Sequence, residues 1–363
     1  MKYDRIWNFN PGPAAVPLEA LEQVYEKWFN YEGSGMAVME MSHRSKEYDR
    51  IHNRTAELVK QILKLGDEFH VLFLQGGASL QFAMAPMNFL LDGKTADYIN
   101  TGSWSVKAIK EAKLFGTVNV AFDGSEFNFT RLPKPEELKL TPGAAYVHLT
   151  SNNTIKGTQF RAFPDTGGVP IFADMSSDIL SHRFDPQPFG LIYAGAQKNL
   201  GPSGVTLVIL RDDVLKTARN GVTTMLAYKT HVEKNSLFNT PNTFGIYFMG
   251  LVLQWVVDMG GLDAVEKRNR EKADLLYGFI DEHSDFYRGT VEKESRSWMN
   301  VCMRLPSEEL EAKFIAEGKA AGFNGLKGHR SVGGIRVSMY NAIPPEAIRE
   351  LISFMKDFMA KNG

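Results

Sequence analysis

Apolar residues follow two different spacings along this chain. Short continuous apolar runs alternate with stretches in which apolar residues return every three or four positions. The first spacing is typical of buried β-strands and the second of amphipathic helices. Strands that alternate with helices in this way indicate a largely parallel sheet with helices on its faces. The predicted strands lie at 69–74, 97–100, 118–122, 145–149, 170–173 and 191–194.

The pattern is different at the two ends of the chain. Residues 8–13 (Asn-Phe-Asn-Pro-Gly-Pro) predict turns, and helical spacing follows at 18–28 and again at 48–65. After residue 260 the chain predicts an α+β mixture, so we expect a large domain over 1–259 and a small domain over 260–363. The predicted C-terminal elements are a helical stretch at 243–283, strands at 297–305 and 334–339, and helices at 308–321 and 344–359.

Composition narrows the range of possible functions. Of 363 residues, 44% are hydrophobic and 23% charged, which is typical of a soluble globular protein. The formal net charge of -1 gives no general attraction to nucleic acid or to an anionic membrane, so we expect neither as a partner. The only cysteine, Cys302, cannot form an intrachain disulfide, and a structural zinc site built from several thiolates is excluded. A cytoplasmic location and no bound metal are therefore expected.

Two residues at predicted strand ends carry the clearest chemistry. Asp174 and Lys198 each follow an apolar run, and in open α/β sheets such ends meet where ligands bind. A buried lysine can react as a neutral amine with an aldehyde, and a carboxylate can hold a proton on a ring nitrogen. By position alone, however, a strand-end aspartate and lysine are more often ordinary surface residues.

The residues around Lys198 carry a family resemblance. Tyr193-Ala194-Gly195-Ala196-Gln197-Lys198-Asn199-Leu200-Gly201-Pro202 resembles the lysine motif of class V aminotransferases. Together with residues 8–13 and 328–336 it looks like the phosphoserine aminotransferase family, over essentially the whole chain. The resemblance implies a fold-type-I transferase whose large domain holds a mixed, mostly parallel seven-stranded sheet. It also implies that residues 1–17 form an arm contributing to the active site.

The resemblance implies pyridoxal 5'-phosphate as the cofactor, with one molecule per subunit. Lys198 would form the Schiff base, Asp174 would hold the pyridine nitrogen, Trp104 would stack on the ring and Thr154 would bind its phenolate oxygen. The cofactor phosphate would meet Ala78 and Ser79 at a predicted helix start, Gln197, and Asn239 and Thr240 from the partner in a homodimer with shared active sites. Taken singly, each of these is more simply a turn, a capping hydroxyl, a core tryptophan or a solvated loop.

The implied reaction transfers an amino group between L-glutamate and 3-phosphohydroxypyruvate by a ping-pong mechanism. The products are O-phospho-L-serine and 2-oxoglutarate, in L-serine biosynthesis, and some members also use a phosphorylated hydroxythreonine precursor of vitamin B6. Arg336 would bind the α-carboxylate with its bidentate fork. The cluster that would receive the phosphate or γ-carboxylate comprises His43, Arg44, His329 and Arg330.

Several alternatives remain beside this interpretation. A cysteine desulfurase would need a reactive thiol on a mobile loop, whereas Cys302 lies in a strand-like segment. An alanine–glyoxylate type transaminase would have no use for the histidine and arginine cluster, and a non-catalytic relative would be expected to have lost Lys198 or Asp174. Gly93-Lys94-Thr95 ends like a P-loop but lacks the earlier glycine, because position 88 is asparagine. No G-x-G-x-x-G fingerprint occurs.

Overall fold

The computed structural model of the chain describes residues 2–363. Its strands, in chain order, are β1 (Trp7–Asn8), β2 (Phe69–Leu74), β3 (Thr95–Asn100), β4 (Thr117–Asp123), β5 (Val147–Thr150), β6 (Ile171–Asp174), β7 (Phe189–Gly195), β8 (Thr206–Arg211), β9 (Arg288–Gly289), β10 (Asn300–Arg304), β11 (Phe323–Asn324) and β12 (Ile335–Ser338). Its α-helices are α1 (Leu18–Glu26), α2 (Lys46–Leu63), α3 (Gly77–Phe89), α4 (Ser103–Ala112), α5 (Asp212–Lys216), α6 (Tyr228–Glu233), α7 (Thr243–Asp258), α8 (Leu262–Glu282), α9 (Glu308–Ala320) and α10 (Pro345–Asn362).

A seven-stranded sheet forms the centre of the fold. Its strand order is β2-β8-β7-β6-β5-β3-β4, and β8 alone runs antiparallel to its neighbours. The predicted mixed, mostly parallel sheet is therefore confirmed. Strand β8 was missing from the sequence prediction, because a short apolar run after a glycine-rich segment does not by itself distinguish a strand from a buried helix.

Helices cover both faces of this sheet. Along β8, Leu207 and Ile209 pack in a core with α2 and α7, while Val208 and Leu210 pack with α3 and α4 on the opposite face. This alternation follows from the two-residue period of a strand. Both faces are consequently buried, and β7 is buried along its whole length.

The C-terminal part of the chain builds a separate three-stranded antiparallel sheet in the order β12-β10-β9. Its core includes side chains of α8, α9 and α10, and also Phe9 from the N-terminal segment. The same segment pairs β1 with β11 in a parallel register. Helix α8 contributes Val265 to the core of the large sheet and Leu276 to this second core.

Two local predictions at the N-terminus were wrong. Helix α1 ends at Glu26, so Trp28 lies beyond it and packs edge-on against Phe244. Asn8, expected in a turn, lies in β1, because the backbone N–H groups of its neighbours Trp7 and Phe9 donate to the Gly322 and Asn324 carbonyls and form a two-stranded sheet with β11. Within residues 2–363, no single helix has the length and apolarity to cross a bilayer, although α7 and α8, bent by 85°, pass that test as a pair.

Candidate active site

Lys198 lies just beyond the carboxyl end of β7, in the middle of the large sheet. Its Nζ donates a hydrogen bond to Thr154 Oγ1 at 2.7 Å and lies 5.6 Å from the centroid of the Trp104 ring. Burial lowers the pKa of Lys198 to about 8, against the raising effect of the nearby Asp174 carboxylate. An appreciable fraction of the amine is therefore neutral near neutral pH.

Asp174 is the last residue of β6 and is buried. Its Oδ1 accepts hydrogen bonds from the Ser176 backbone N–H at 2.9 Å and from Ser176 Oγ at 2.6 Å. Burial raises the pKa of Asp174, while Lys198 and Ser176 act in the opposite direction. Both hydrogen bonds end on Oδ1, which leaves Oδ2 available to a further donor.

The loops after β3 and β5 are joined beside Lys198. Asn153 Nδ2 donates to the Thr101 carbonyl, and a Cβ at Gly102 would lie 2.1 Å from that nitrogen. Gly102, with φ of 148°, therefore keeps these loops in contact. Trp104 follows directly in α4, and its indole Nε1 is buried with no hydrogen-bond partner among the described residues.

The start of α3 presents unsatisfied backbone donors. Gly76 is the N-cap, with φ of 87°, and no side chain caps the helix, so the N–H groups of Gly77, Ala78 and Ser79 lack intrahelical acceptors. Such a terminus favours an anion. Gln75 Nε2 also donates to the Thr240 carbonyl at 3.2 Å, so the loop of Asn239 and Thr240 lies beside this helix start within one chain.

Arg336 lies on β12 and is 5% exposed. Its Nη1 donates to the Thr154 carbonyl at 3.2 Å, while its Nε is buried without a partner among residues 2–363. In the preceding loop, His329 has its pKa lowered by burial and by the charges of Arg336, Arg330 and Lys107. Arg336, Arg330 and Lys107 are therefore grouped around His329, which the lowered pKa keeps largely neutral, and Lys107 lies 4.4 Å from the centroid of the Trp104 ring.

His43 and Arg44 are not brought to Lys198 within the chain. They lie in the loop before α2, where Arg44 is exposed and His43 Nε2 is buried without a partner among the described residues. No hydrogen bond or ion pair in residues 2–363 connects either side chain with Lys198 or Arg336. In one chain the predicted anion-binding cluster is thus divided.

The N-terminal segment contacts the lysine loop directly. A Cβ at Gly12 would lie 3.2 Å from Lys198 Cγ, and the Ala14 N–H donates to the Gln197 carbonyl at 2.9 Å. Tyr340, just after β12, donates its hydroxyl to the Pro11 carbonyl at 2.7 Å. The turn-rich residues 8–13 indicated a loop, but no local pattern indicated what it would touch.

A second buried carboxyl group near Asp174 escaped sequence analysis. Asp178 accepts a hydrogen bond from Gln159 Nε2 at 3.2 Å and contacts Ser151 Oγ. Burial raises the pKa of Asp178 to about 7, so this side chain is largely protonated below neutral pH. Its position four residues after Asp174 was visible, but nothing in the sequence showed that it would be buried.

Comparison with known proteins identifies relatives along the whole chain. The model of the family "Aminotransferase class-V" matches residues 6–351. The chain is 57% identical to a phosphoserine aminotransferase of Desulfosudis oleivorans, over 99% of each chain. The solved phosphoserine aminotransferase from Bacillus circulans subsp. alkalophilus has a TM-score of 0.97 at 53% identity, over 99% of this chain and 100% of that one. A PLP-bound one from Trichomonas vaginalis has a TM-score of 0.92 at 38% identity, over 97% and 100%.

Proposed function

Because this chain belongs to the aminotransferase class-V family, we propose that it transfers an amino group between L-glutamate and 3-phosphohydroxypyruvate. The products are O-phospho-L-serine and 2-oxoglutarate, and the pathway is L-serine biosynthesis. The main support is the position of Lys198, whose Nζ lies between the Thr154 hydroxyl and the Trp104 ring. The buried Asp174 carboxylate is close enough to raise the pKa of Lys198. A lysine, a flat aromatic surface and a buried acid are the groups that amino-group transfer requires.

The site fits pyridoxal 5'-phosphate in three respects. The uncapped start of α3, with Ala78 and Ser79, would accept a phosphate, helped by Gln197 and by Asn239 and Thr240 of the partner subunit. Trp104 offers a face for the ring. Asp174 Oδ2 and Thr154 Oγ1 would bind the ring nitrogen and the phenolate oxygen. When bound, this cofactor supplies an aldehyde for the amine and a ring that accepts the electron pair left at Cα.

Lys198 then acts as the proton carrier of the reaction. Its Nζ, with a pKa lowered to about 8, takes the proton from the substrate Cα and returns a proton in the reverse half-reaction. Asp174 stays ionised beside a protonated ring nitrogen, because a neighbouring positive charge offsets the cost of burying the carboxylate. Removing either side chain would leave the other unsuited to its role.

The basic side chains fit the anionic groups that both substrates share. Arg336 binds the α-carboxylate, and its unpartnered Nε lies ready for a second carboxylate oxygen. His329 and Arg330 bind the phosphate of one substrate or the γ-carboxylate of the other. One group of cations thus serves both substrates in turn, as a ping-pong mechanism requires.

We propose that His43 and Arg44 complete this cluster in the partner of a homodimer. Neither side chain forms a hydrogen bond or ion pair with Lys198 among the described residues, and the preceding segment of the chain exposes Tyr25, Trp28, Phe29 and Met39. Tyr25 is 83% and Phe29 85% exposed, and aromatic residues are enriched in protein interfaces. A cytoplasmic location, favoured by the single cysteine, completes the proposal.

Absorption spectroscopy of the purified holoenzyme tests the assignment. The visible band of the lysine-bound cofactor should disappear on adding L-glutamate and return on adding 3-phosphohydroxypyruvate. If the band disappears but returns only with a different keto acid, the cofactor assignment stands and 3-phosphohydroxypyruvate is not the substrate. Lys198→Ala is the control, and a visible band that it retains unchanged would refute the role of Lys198.

A further inference from the structure

A cavity of about 530 Å³ lies beside Arg336 and does not include Lys198, Thr154 or Trp104 among its walls. It opens between segments that precede and follow the predicted domain boundary. On one side lie residues 128–130 and 155–156, and on the other lie residues 288–290, 302–304, 328, 331–333 and 335–336.

One face of the three-stranded sheet gives this cavity a basic wall. Arg336 pairs with Cys302, and Arg304, two residues further along β10, pairs with Arg288. Residues two apart on a strand share a face, as do residues directly opposite on antiparallel strands. The three arginines therefore lie on one face, and the opposed Arg288 and Arg304 repel each other unless their charge is balanced.

Only part of that charge is balanced by acidic side chains. Arg304 donates to Glu311 at 2.5 Å. Within residues 2–363, Arg288, Lys156 and Arg336 form no ion pair with a carboxylate, and no acidic side chain lines the cavity. Three cations thus surround the cavity without counter-ions, and the substrate carboxylate proposed above accounts for Arg336 alone.

Lys156 lines the cavity opposite the sheet face that carries the three arginines. Cys302 Sγ donates to the Ile155 carbonyl at 3.4 Å, which places residues 155–156 against β10. The Lys156 ammonium donates to Asn128 Oδ1 at 2.8 Å, and this uncharged amide is its only hydrogen-bond partner among residues 2–363. Burial lowers the pKa of Lys156, against a smaller raising effect of Cys302.

We propose that this cavity binds a small oxyanion, a phosphate or carboxylate group, between Lys156 and Arg288. Such an anion would accept hydrogen bonds from Lys156 and Arg288 and balance their charges, whereas Arg304 is already paired with Glu308 and Glu311. Lys156 lies in the segment after β5 of the seven-stranded sheet, and Arg288 lies in β9 of the three-stranded sheet. An anion bound by both side chains would therefore link segments of the two sheets. Its walls contain none of the groups proposed to hold the cofactor, and Arg336 is the one wall residue that the cavity shares with the proposed substrate site.

Equilibrium dialysis of the holoenzyme with radiolabelled inorganic phosphate tests the proposal. The cofactor fills its own phosphate site, and the background variant H329Q/R330Q weakens phosphate binding in the substrate cluster. In that background we expect one phosphate per chain. Adding K156M/R288M should weaken its binding about a hundredfold, because it removes two charge-assisted hydrogen bonds that are each worth about tenfold.

Matched controls separate this site from general charge effects. K319M/K356M removes two exposed positive charges elsewhere and should leave phosphate binding unchanged. R288Q alone, at an exposed side chain, should weaken binding even if the double variant folds poorly. Displacement of phosphate by glutarate would identify carboxylates as a second natural source of the anion. Absence of bound phosphate in H329Q/R330Q, or equal binding by K156M/R288M and K319M/K356M, would overturn the proposal.

Discussion

Asp174 and Asp178, four residues apart, are expected to have different protonation states. In the proposed site Asp174 carries a charge toward a ring nitrogen, whereas Asp178 is enclosed by Ser151 and Gln159 and has its pKa raised to about 7. One proton on Asp178 lets it donate to Ser151 Oγ, which in turn donates to the Asp174 carbonyl at 3.0 Å. The neutral acid thus supports the backbone of the charged one.

Asp178→Asn should stabilise the protein as pH rises. An aspartate with a raised folded-state pKa gives its full contribution to stability below its unfolded pKa of 3.8 and loses it as pH rises to about 7. Asparagine keeps the hydrogen bonds and cannot ionise, so its advantage should grow over that window to at most ~4 kcal/mol, at 1.36 kcal/mol per pKa unit. Melting temperatures measured from pH 4 to 8 check this.

Asp178→Ala provides the comparison at the same position. It leaves Ser151 and Gln159 without their partner, so it should lower stability by ~1–3 kcal/mol near pH 4, where the wild-type acid is neutral. A melting temperature for Asp178→Asn that falls relative to wild type as pH rises would contradict a protonated Asp178.

Single elements were mostly predictable, but their partners were not. The strand ending at Asp174 and the helix after Gly76 followed from period and turn residues alone. Strand β1 did not, because two residues carry no periodicity and pair only with β11, far along the chain. The contact of Gly12 with Lys198 and the burial of Asp178 likewise depend on chain crossings that local patterns do not encode.

The N-cap of α2 lies next to the loop that is proposed to bind substrate. Ser45 Oγ accepts a hydrogen bond from the Tyr48 N–H at 3.2 Å, and His43 and Arg44 directly precede it. Ser45→Ala should cost about 1 kcal/mol in stability. Because the cap also fixes the direction of the preceding loop, KM for 3-phosphohydroxypyruvate should rise about three- to tenfold, or ~0.7–1.4 kcal/mol.

Ser307→Ala is the matched control for that element. Ser307 caps α9 by the same type of bond, to the Leu310 N–H at 3.2 Å, but no predicted substrate residue adjoins it. It should lower the melting temperature as much as Ser45→Ala while leaving KM unchanged. Equal KM values for Ser45→Ala and Ser307→Ala would contradict binding of the substrate phosphate by His43 and Arg44.

For the whole molecule, the decisive question is whether one active site uses residues of two chains. Lys198 and Arg336 are close to each other within a chain, whereas Arg44 has no hydrogen bond or ion pair with either in residues 2–363 and follows a segment whose exposed surface includes Phe29. A homodimer joined through that surface would bring Arg44 of one chain to Lys198 of the other. Interfaces of twofold dimers are reciprocal, so two identical sites would result.

Mixing two inactive variants tests this arrangement directly. Lys198→Ala removes the proton carrier and Arg44→Gln removes a phosphate contact, so each homodimer should have little activity. If chains exchange freely at equal concentrations, half of the dimers pair one variant with the other and contain one intact site, which restores about a quarter of wild-type activity. The control pair, Lys198→Ala with Asp174→Ala, has both lesions in the same chain's part of the site and should restore none. Absence of recovery in the test pair, with chain exchange verified by mass spectrometry, would place Arg44 in the site of its own chain.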